Sequence, residues 1–499
     1  MSVSRREFLA GSVGVLGVSN LLPRDAGPTT VMAQTTAPAG ELHYLTIREA
    51  SNRISRKQLS PVELTQAILA RIDQVEPKIH AFITLTREQA LESARTAEAE
   101  IMAGRYRGPL HGIPVAVKDT HYTKGIRSTG ASPVLADFIP SFDATIVTKL
   151  KSAGAIIMGK TNLPEFSSGS SGNGTNNPWM LSRPTGGSSA GNAAGLGAGM
   201  FFGASGGDTG ASIRGPAALC GVVGLKPTYG RVSGYGVMKL SWSVDHNGPM
   251  TRTVEDNALL LNVIAGPDPE DWASSDVAVP DYTRSLGRGV RGMRLGIPKR
   301  QMIEGYFPDE LKSFDDALVV FQKLGARIVE VDLPDTLAVM GDAHNIIRIC
   351  EAASYHEPFL ATKAELYGPT AVRRDVEAGA LITAGQYLRA QKMRKIFVKQ
   401  MLAIFSGFDL MITPETVPAG ERSSGRFSPH SPFNDTGFPG MAVPAGFSTS
   451  PAGLPLSIQI VGKPFDEETA YAAGHAYESA TPWHERRPTL AEGSAGPAQ

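Results

Sequence analysis

Cysteine is scarce in this chain: its 499 residues include two, Cys220 and Cys350. A pair this small builds neither a disulfide framework nor a metal cluster, and both read as small apolar residues for the interior. Net charge is missing as well, because 48 Lys and Arg balance 48 Asp and Glu. With the basic residues dispersed, no polyanion footprint is visible, so neither nucleic acid nor an anionic membrane is expected as a partner. No apolar run is long enough to span a bilayer; the run from Phe8 to Leu22 is short and broken by glycine. Internal repeats, heptads and Pro/Ser-rich linkers are also lacking. Length alone would allow about three domains. Without linkers to separate them, one large domain with insertions is expected.

What the chain has in abundance is glycine, 54 residues of it. The densest stretch runs from Gly186 to Thr228 (GGSSAGNAAGLGAGMFFGASGGDTGASIRGPAALCGVVGLKPT). A solvated linker would be rich in Ser, Pro or charge. Here Ala, Leu, Met, Phe, Ile and Val interrupt the glycines, and Asp208, Arg214 and Lys226 are the charged residues. Buried glycine-rich backbone packs closely and leaves N–H groups free to point at something other than a ladder partner. Ser188, Ser189, Ser205 and Ser212 punctuate it, which marks a candidate active site.

The amino terminus reads as an address. Ser4-Arg5-Arg6-Glu7-Phe8-Leu9 is a twin-arginine pattern, and small residues before Gln34 allow cleavage there. The expected organisation is a signal peptide over 1–33, a linker over 34–44, the catalytic domain over 45–487 and a flexible tail over 488–499. A periplasmic or secreted location follows from that reading. Ser60-Pro61 opens one helix, and Arg87 to Met102 forms a second. HGIPVAVKD reads as a buried strand closing on Lys118, a lysine whose apolar neighbours carry its stem inward. A helix over Asp143–Leu150 and a strand over Ala155–Met158 follow. Gly154 to Thr161 satisfies the literal phosphate-loop pattern GxxxxGK[ST], but Ala-Ile-Ile-Met stands where the loop should be, so a strand is expected. MRLGIP, then DELKSFDDALVVFQKLGA, then RIVEVDLP gives strand–helix–strand, and strands are expected at DLMITP, Phe438–Phe447 and Leu456–Val461.

Two serines compete for a nucleophile's role. Gly187-Ser188-Ser189-Ala190-Gly191 matches GxSxG, the elbow of α/β-hydrolases, with Ser189 as nucleophile. That reading needs a strand before the motif and a usable His after it; Ser182-Arg183-Pro184-Thr185 is no apolar strand, and His246 directly follows Asp245. The other reading uses Ser212. Thr209, Gly210, Ala211 and Ser212 offer consecutive backbone N–H groups to a developing oxyanion, each well-placed donor worth on the order of 10²–10³ in rate. Ser212 then needs a base, and the buried Lys118 is the natural source. An ordinary lysine pKa near 10.4 leaves roughly one molecule in a thousand neutral at physiological pH, so burial must lower it by about 3. Asp208 and Arg214 read as a structural pair that fixes the loop.

The glycine-rich stretch, with GIPVAVKD, DATIV…AGAIIMGKTNLPEF, NNPW and the late NDTGFPGMAVPAGF…GLPLSIQIVGKPFDE, resembles the amidase signature family of serine hydrolases. The resemblance covers Leu45 to about Trp483. It implies an α/β fold, a single large domain whose mixed central β-sheet is sandwiched between α-helices. It also implies a Ser–Ser–Lys triad of Ser212 (nucleophile), Ser188 (bridge) and Lys118 (base), with a cis Gly187–Ser188 peptide bond. Thr209, Gly210, Ala211 and Ser212 become the oxyanion hole, and Ser167 falls where the family contacts the acyl group. No metal and no organic cofactor is implied. The chain departs from the family at Thr185, Ala190, Gly207 and Ala211, and a positive φ at Ala211 would cost its Cβ about 1 kcal/mol.

The expected function is therefore an exported amidase that hydrolyses aryl, alkyl or peptide amides through an acyl-enzyme on Ser212. Carbamate or ester cleavage by the same triad is the alternative, followed by the GxSxG reading and by a catalytically silent binding protein. The expected substrate is a small-molecule amide or carbamate, met by a monomer or homodimer. Export argues against a tRNA-dependent amidotransferase component.

Overall fold

A computed structural model describes residues 42–169, 173–299, 306–415 and 431–492. The twin-arginine segment and its cleavage site lie outside the described residues. Among those described, no helix is long and apolar enough to cross a membrane.

Thirteen strands are described, in chain order β1 (Phe82–Leu85), β2 (Pro114–Lys118), β3 (Ile156–Thr161), β4 (Asn176–Asn177) and β5 (Met180–Pro184). Then follow β6 (Gly203–Asp208), β7 (Val223–Lys226), β8 (His246–Thr251), β9 (Arg294–Pro298) and β10 (Arg327–Val331). The last three are β11 (Leu410–Pro414), β12 (Gly440–Thr449) and β13 (Ala452–Val461). Eleven of them form one sheet in the order β1-β3-β2-β6-β8-β7-β12-β13-β11-β9-β10; β4 and β5 pair separately. The sheet is mixed: β2 runs parallel to β3 and to β6, whereas β8 is antiparallel to both β6 and β7. Helices cover it, and the fold is a single large α/β domain around a mixed central sheet.

The apolar runs decide which strands lie deepest. Every residue of β2, β3 and β11 is buried, as largely hydrophobic strands covered on both faces should be, and the more polar β8 is buried with them. The helix Pro61–Ile79 starts where its chemistry requires: Ser60 Oγ accepts the N–H groups of Val62 (3.0 Å) and Glu63 (3.3 Å). Its buried stripe of Leu64, Ile68, Leu69 and Ile72 faces the core. The phosphate-loop pattern is a strand, as its β-branched residues dictate: β3 runs through Gly159, Lys160 and Thr161. Lys160 Nζ, fully buried, donates to Thr123 Oγ1 (3.1 Å), Ser128 Oγ (2.8 Å) and the His121 carbonyl.

Three expectations need correction. The proposed linker ends inside the fold, because Leu42–Tyr44 forms a turn of 3-10 helix and Leu42 packs on the core. The proposed flexible tail is anchored at its start: Leu490 packs on the core and the Ala491 carbonyl accepts the Leu181 N–H at 3.0 Å. Cys220 is buried, whereas Cys350 is only half-buried. The sequence reading also assigns no element between Pro334 and Asp409, where the structure has helices Leu337–Lys363, Ala371–Ala380 and Ala384–Phe405. The first carries Pro358 and contributes to two separate apolar clusters, so its hydrophobic residues follow no single stripe.

Glycine is indispensable where helix Ala190–Gly197 crosses the sheet. A Cβ on Gly191 would lie 2.2 Å from the Ala81 carbonyl oxygen and 2.5 Å from the Asn162 nitrogen, both rigid backbone. Gly191→Ala is expected to lower unfolding free energy by about 3 kcal/mol or more. Gly287→Ala, with nothing within 4 Å of its added Cβ, should stay within about 0.5 kcal/mol. Urea unfolding of both variants checks the contrast.

Candidate active site

The parallel strands β2 and β6 lie side by side, with Val117 opposite Ser205, so their carboxyl ends open together. Open α/β sheets place their reactive groups at such ends. β2 delivers Lys118 there, and β6 delivers Gly207 and Asp208. The chain then turns through Thr209–Ile213 into the short helix Arg214–Leu219. Ser188 and Ser189 come just before helix Ala190–Gly197. The Ser189 N–H donates to the Ser212 carbonyl at 3.0 Å and ties the two serine segments together. The Gly187–Ser188 peptide bond is cis.

Lys118 is 1% exposed, and its Nζ lies 2.6 Å from Ser188 Oγ and 3.4 Å from the Gly207 carbonyl. Burial drives its pKa down to about 7, with Asp208 and Asp245 pulling the other way. Ser188 is buried and Ser212 is half-buried. No hydrogen bond joins their hydroxyls among the described residues; catalytic contacts commonly tighten only once substrate is bound. A narrow cavity reaches Lys118 and is walled by Ser167, Thr209, Leu240 and Asp245, among others. Ser167 thus shares a cavity with the lysine.

The loop is held by one carboxylate. Asp208 accepts the N–H groups of Ala211 (2.9 Å) and Ile213 (3.0 Å), and Arg214 Nε and Nη2 (both 3.0 Å). Burial pushes against its ionisation, yet Arg214, Lys226 and Asn434 hold its pKa well below the usual carboxylate range. Arg214 is fully buried and also donates to Gln459 Oε1 and Asn434 Oδ1, both at 2.6 Å. This changes the expected set of oxyanion donors. The Ala211 amide is turned onto Asp208 and is not free for an oxyanion. The amides of Gly210 and Ser212 carry no such bond among the described residues, and Thr209 is fixed through its Oγ1, 2.6 Å from Asp245 Oδ1.

Ala211 sits at φ +106°, a region that L side chains rarely adopt, so the departure from glycine carries backbone strain. Ser189 lacks a base: its Oγ donates to the Gly207 carbonyl at 3.2 Å, while His246 Nδ1 pairs with the Val244 carbonyl at 2.7 Å. Burial pushes the Cys220 thiol up, away from reactivity. Asn434, Gln459 and Asp245 escape the sequence reading as supports of the loop. Gln459 left a signal, a lone amide inside the apolar run Leu456–Val461. Asn434 and Asp245 act through contacts far apart in sequence, which spacing does not reveal.

The profile of the Amidase family matches residues 63–470. The chain is 44% identical to one subunit of the glutamyl-tRNA(Gln) amidotransferase of Carboxydothermus hydrogenoformans, over 90% of this chain and all of that one. Among solved structures, the peptide amidase of Stenotrophomonas maltophilia superposes with a TM-score of 0.80 at 30% identity, covering 89% of this chain and 98% of that one. The corresponding component of the glutamyl-tRNA(Gln) amidotransferase of Thermotoga maritima gives 0.74 at 31%, covering 91% and 99%.

These relatives overturn three expectations. An exported hydrolase of small amides or carbamates is contradicted by 44% identity, over 90% of this chain, with a component of a tRNA amidotransferase. A monomer or homodimer without nucleic acid is contradicted by the same relatives, each one subunit of an enzyme named for a charged tRNA. The same relatives contradict a periplasmic or secreted location. A short twin-arginine pattern weighed against an alignment over nine-tenths of the chain is the weaker signal.

Ala211→Gly should raise unfolding free energy by about 1 kcal/mol, where an unstrained Ala→Gly change would lower it by about as much. Chemical denaturation of the two proteins measures the sign.

Proposed function

The chain belongs to the amidase family, enzymes acting on carbon–nitrogen bonds, and on that premise we propose that it is the amide-cleaving subunit of a glutamyl-tRNA amidotransferase. Ser212 takes the acyl group of a primary amide donor, and the nitrogen released becomes the amide of a tRNA-bound glutamate. The observation that carries the chemistry is the 2.6 Å approach of the buried Lys118 Nζ to Ser188 Oγ. The assignment to an amidotransferase rests on likeness to the Carboxydothermus protein over nine-tenths of the chain.

In this reading the neutral Lys118 amine takes a proton from Ser188 as Ser188 takes one from Ser212. Ser212 Oγ attacks the donor's carbonyl carbon, and the negative charge on oxygen falls to the amides of Gly210 and Ser212 with Thr209 beside them. The tetrahedral intermediate collapses by breaking its C–N bond. The proton returns through Ser188 to the departing nitrogen, leaving an acyl ester on Ser212 and one molecule of ammonia. Water then cleaves the ester and frees the carboxylic acid. Charge never needs to leave the pocket, because Ser188 gives up one proton to Lys118 as it receives another from Ser212.

Three measurements test this. Labelling by a fluorophosphonate should vanish in Ser212→Ala and persist in Ser189→Ala; the opposite pattern assigns the nucleophile to Ser189. Lys118→Ala should slow acylation by at least ~10². The acylation rate of the wild type should rise with pH through an apparent pKa of about 7, because the amine acts as a base only when unprotonated. For the finer assignment, the protein with its co-purifying subunits is given glutamyl-tRNA and glutamine. Conversion of the tRNA-bound glutamate to its amide is expected, and turnover of anilides with no change in the tRNA would overturn the reading.

A further inference from the structure

Away from the catalytic lysine lies a second, much larger cavity of about 1000 Å³. That volume sits at the top of the range for small-molecule sites. Helices Leu337–Lys363, Ala371–Ala380 and Ala384–Phe405 frame it, and Trp242, Trp272 and Tyr387 supply aromatic wall. Two of the chain's four tryptophans are therefore spent on one cleft. Trp272 is 74% exposed, an unusual placement for so large an apolar ring unless something covers it.

The charge of this wall is of one sign. Its lining includes Glu351 and Glu357 and no Lys, Arg or His. Glu351 is buried and locked in place, accepting from Ser241 Oγ (2.5 Å), the Ser243 N–H (2.9 Å), Ser243 Oγ (2.8 Å) and Tyr387 OH (2.7 Å). Glu357 has no hydrogen-bond or ion-pair partner among the described residues. The nearby Arg394 does not line the cleft; it keeps its charge and donates to the carbonyls of Asp435 and Ser243, each at 2.8 Å. An anion entering this space meets two carboxylates and no donor cation. A cation meets the same carboxylates together with the π faces of tryptophan and tyrosine, which attract positive charge.

The geometry points to a binding site for an organic cation with an apolar or aromatic body, an amine or a quaternary ammonium, between Glu357 and the Trp242–Trp272–Tyr387 wall. This site does not belong to the catalytic cavity, yet it borders it. Trp242 and Ser243 line the cleft, while Leu240 and Asp245, on the same short segment, line the space around Lys118. Through Ser241, Ser243 and Asp245, the segment links Glu351 to Thr209. The cation is either the distal part of a substrate that reaches Ser212 or a separate ligand.

Tryptophan fluorescence of the purified protein, titrated with 4-phenylbutylammonium, 4-phenylbutanol and 4-phenylbutyrate, tests the site without any turnover. It therefore stands or falls apart from the amidotransferase reading. The ammonium should bind at least about ten-fold more tightly than the isosteric alcohol, and the carboxylate should not bind. Glu357→Gln should weaken the ammonium about five-fold and leave the alcohol unchanged, and Trp272→Ala should weaken the ammonium. Both side chains are exposed, so the variants retain the fold, which circular dichroism checks. Equal affinity for ammonium and alcohol, preference for the carboxylate, or indifference to Glu357→Gln would overturn the proposal. Fluorophosphonate labelling of Ser212 under saturating ammonium separates the two sources, and both results support the site. Slowed labelling makes the cation part of a substrate; unchanged labelling makes it a separate ligand.

Discussion

An amine shut away from water is the constraint around which the rest of this molecule is arranged. Three lysines, Lys118, Lys160 and Lys226, lie fully buried in the same sheet, and burial lowers the pKa of each. Their surroundings separate them. Lys160 is wrapped by hydroxyls and a carbonyl, with Asp119 3.7 Å away. Lys226 donates to the carbonyls of Pro227 (3.2 Å) and Phe438 (2.5 Å). Both are structural ties. Lys118 instead meets a serine hydroxyl at the edge of a cavity, where losing a proton has a chemical use.

Around that amine, the glycine-rich segment is shaped by a single buried ion pair. Asp208 and Arg214 make a two-point contact, and Asn434 and Gln459 also accept from the guanidinium, so both charges are paired. The carboxylate gathers two loop amides inward and thereby leaves those of Gly210 and Ser212 to face elsewhere. Ala211, caught between, adopts a backbone angle better suited to glycine. Strain at one residue is the local cost of a loop that is otherwise fully determined.

Much of this was legible in the sequence, for physical reasons that differ from residue to residue. β2 was readable because its apolar run has no polar residue before Lys118, and the helix at Pro61 because Ser-Pro is a strong start signal. Lys118, Ser188 and Ser212 could be named from motif positions, and the structure brings Lys118 and Ser188 into contact. Helix Leu337–Lys363 was not legible, since it buries residues on more than one face. Ala371–Ala380 and Ala384–Phe405 each bury a single stripe (Val372, Val376 and Gly379; Ala390, Phe397, Met401 and Phe405), a helical period the sequence reading missed. Nor was the diversion of the Ala211 amide legible, which depends on where Asp208 points. The small twin-arginine pattern misled the functional reading because it spoke to location, whereas relatedness runs over nine-tenths of the chain.

The chemistry depends on Lys118 being a base near neutral pH, and the most direct test observes that amine itself. Protein labelled with 13C at the lysine ε-carbon, with Lys118→Arg to assign the resonance, gives its titration by NMR. A midpoint at about 7 is predicted. A midpoint above about 10, the value of a solvated lysine, would contradict the account.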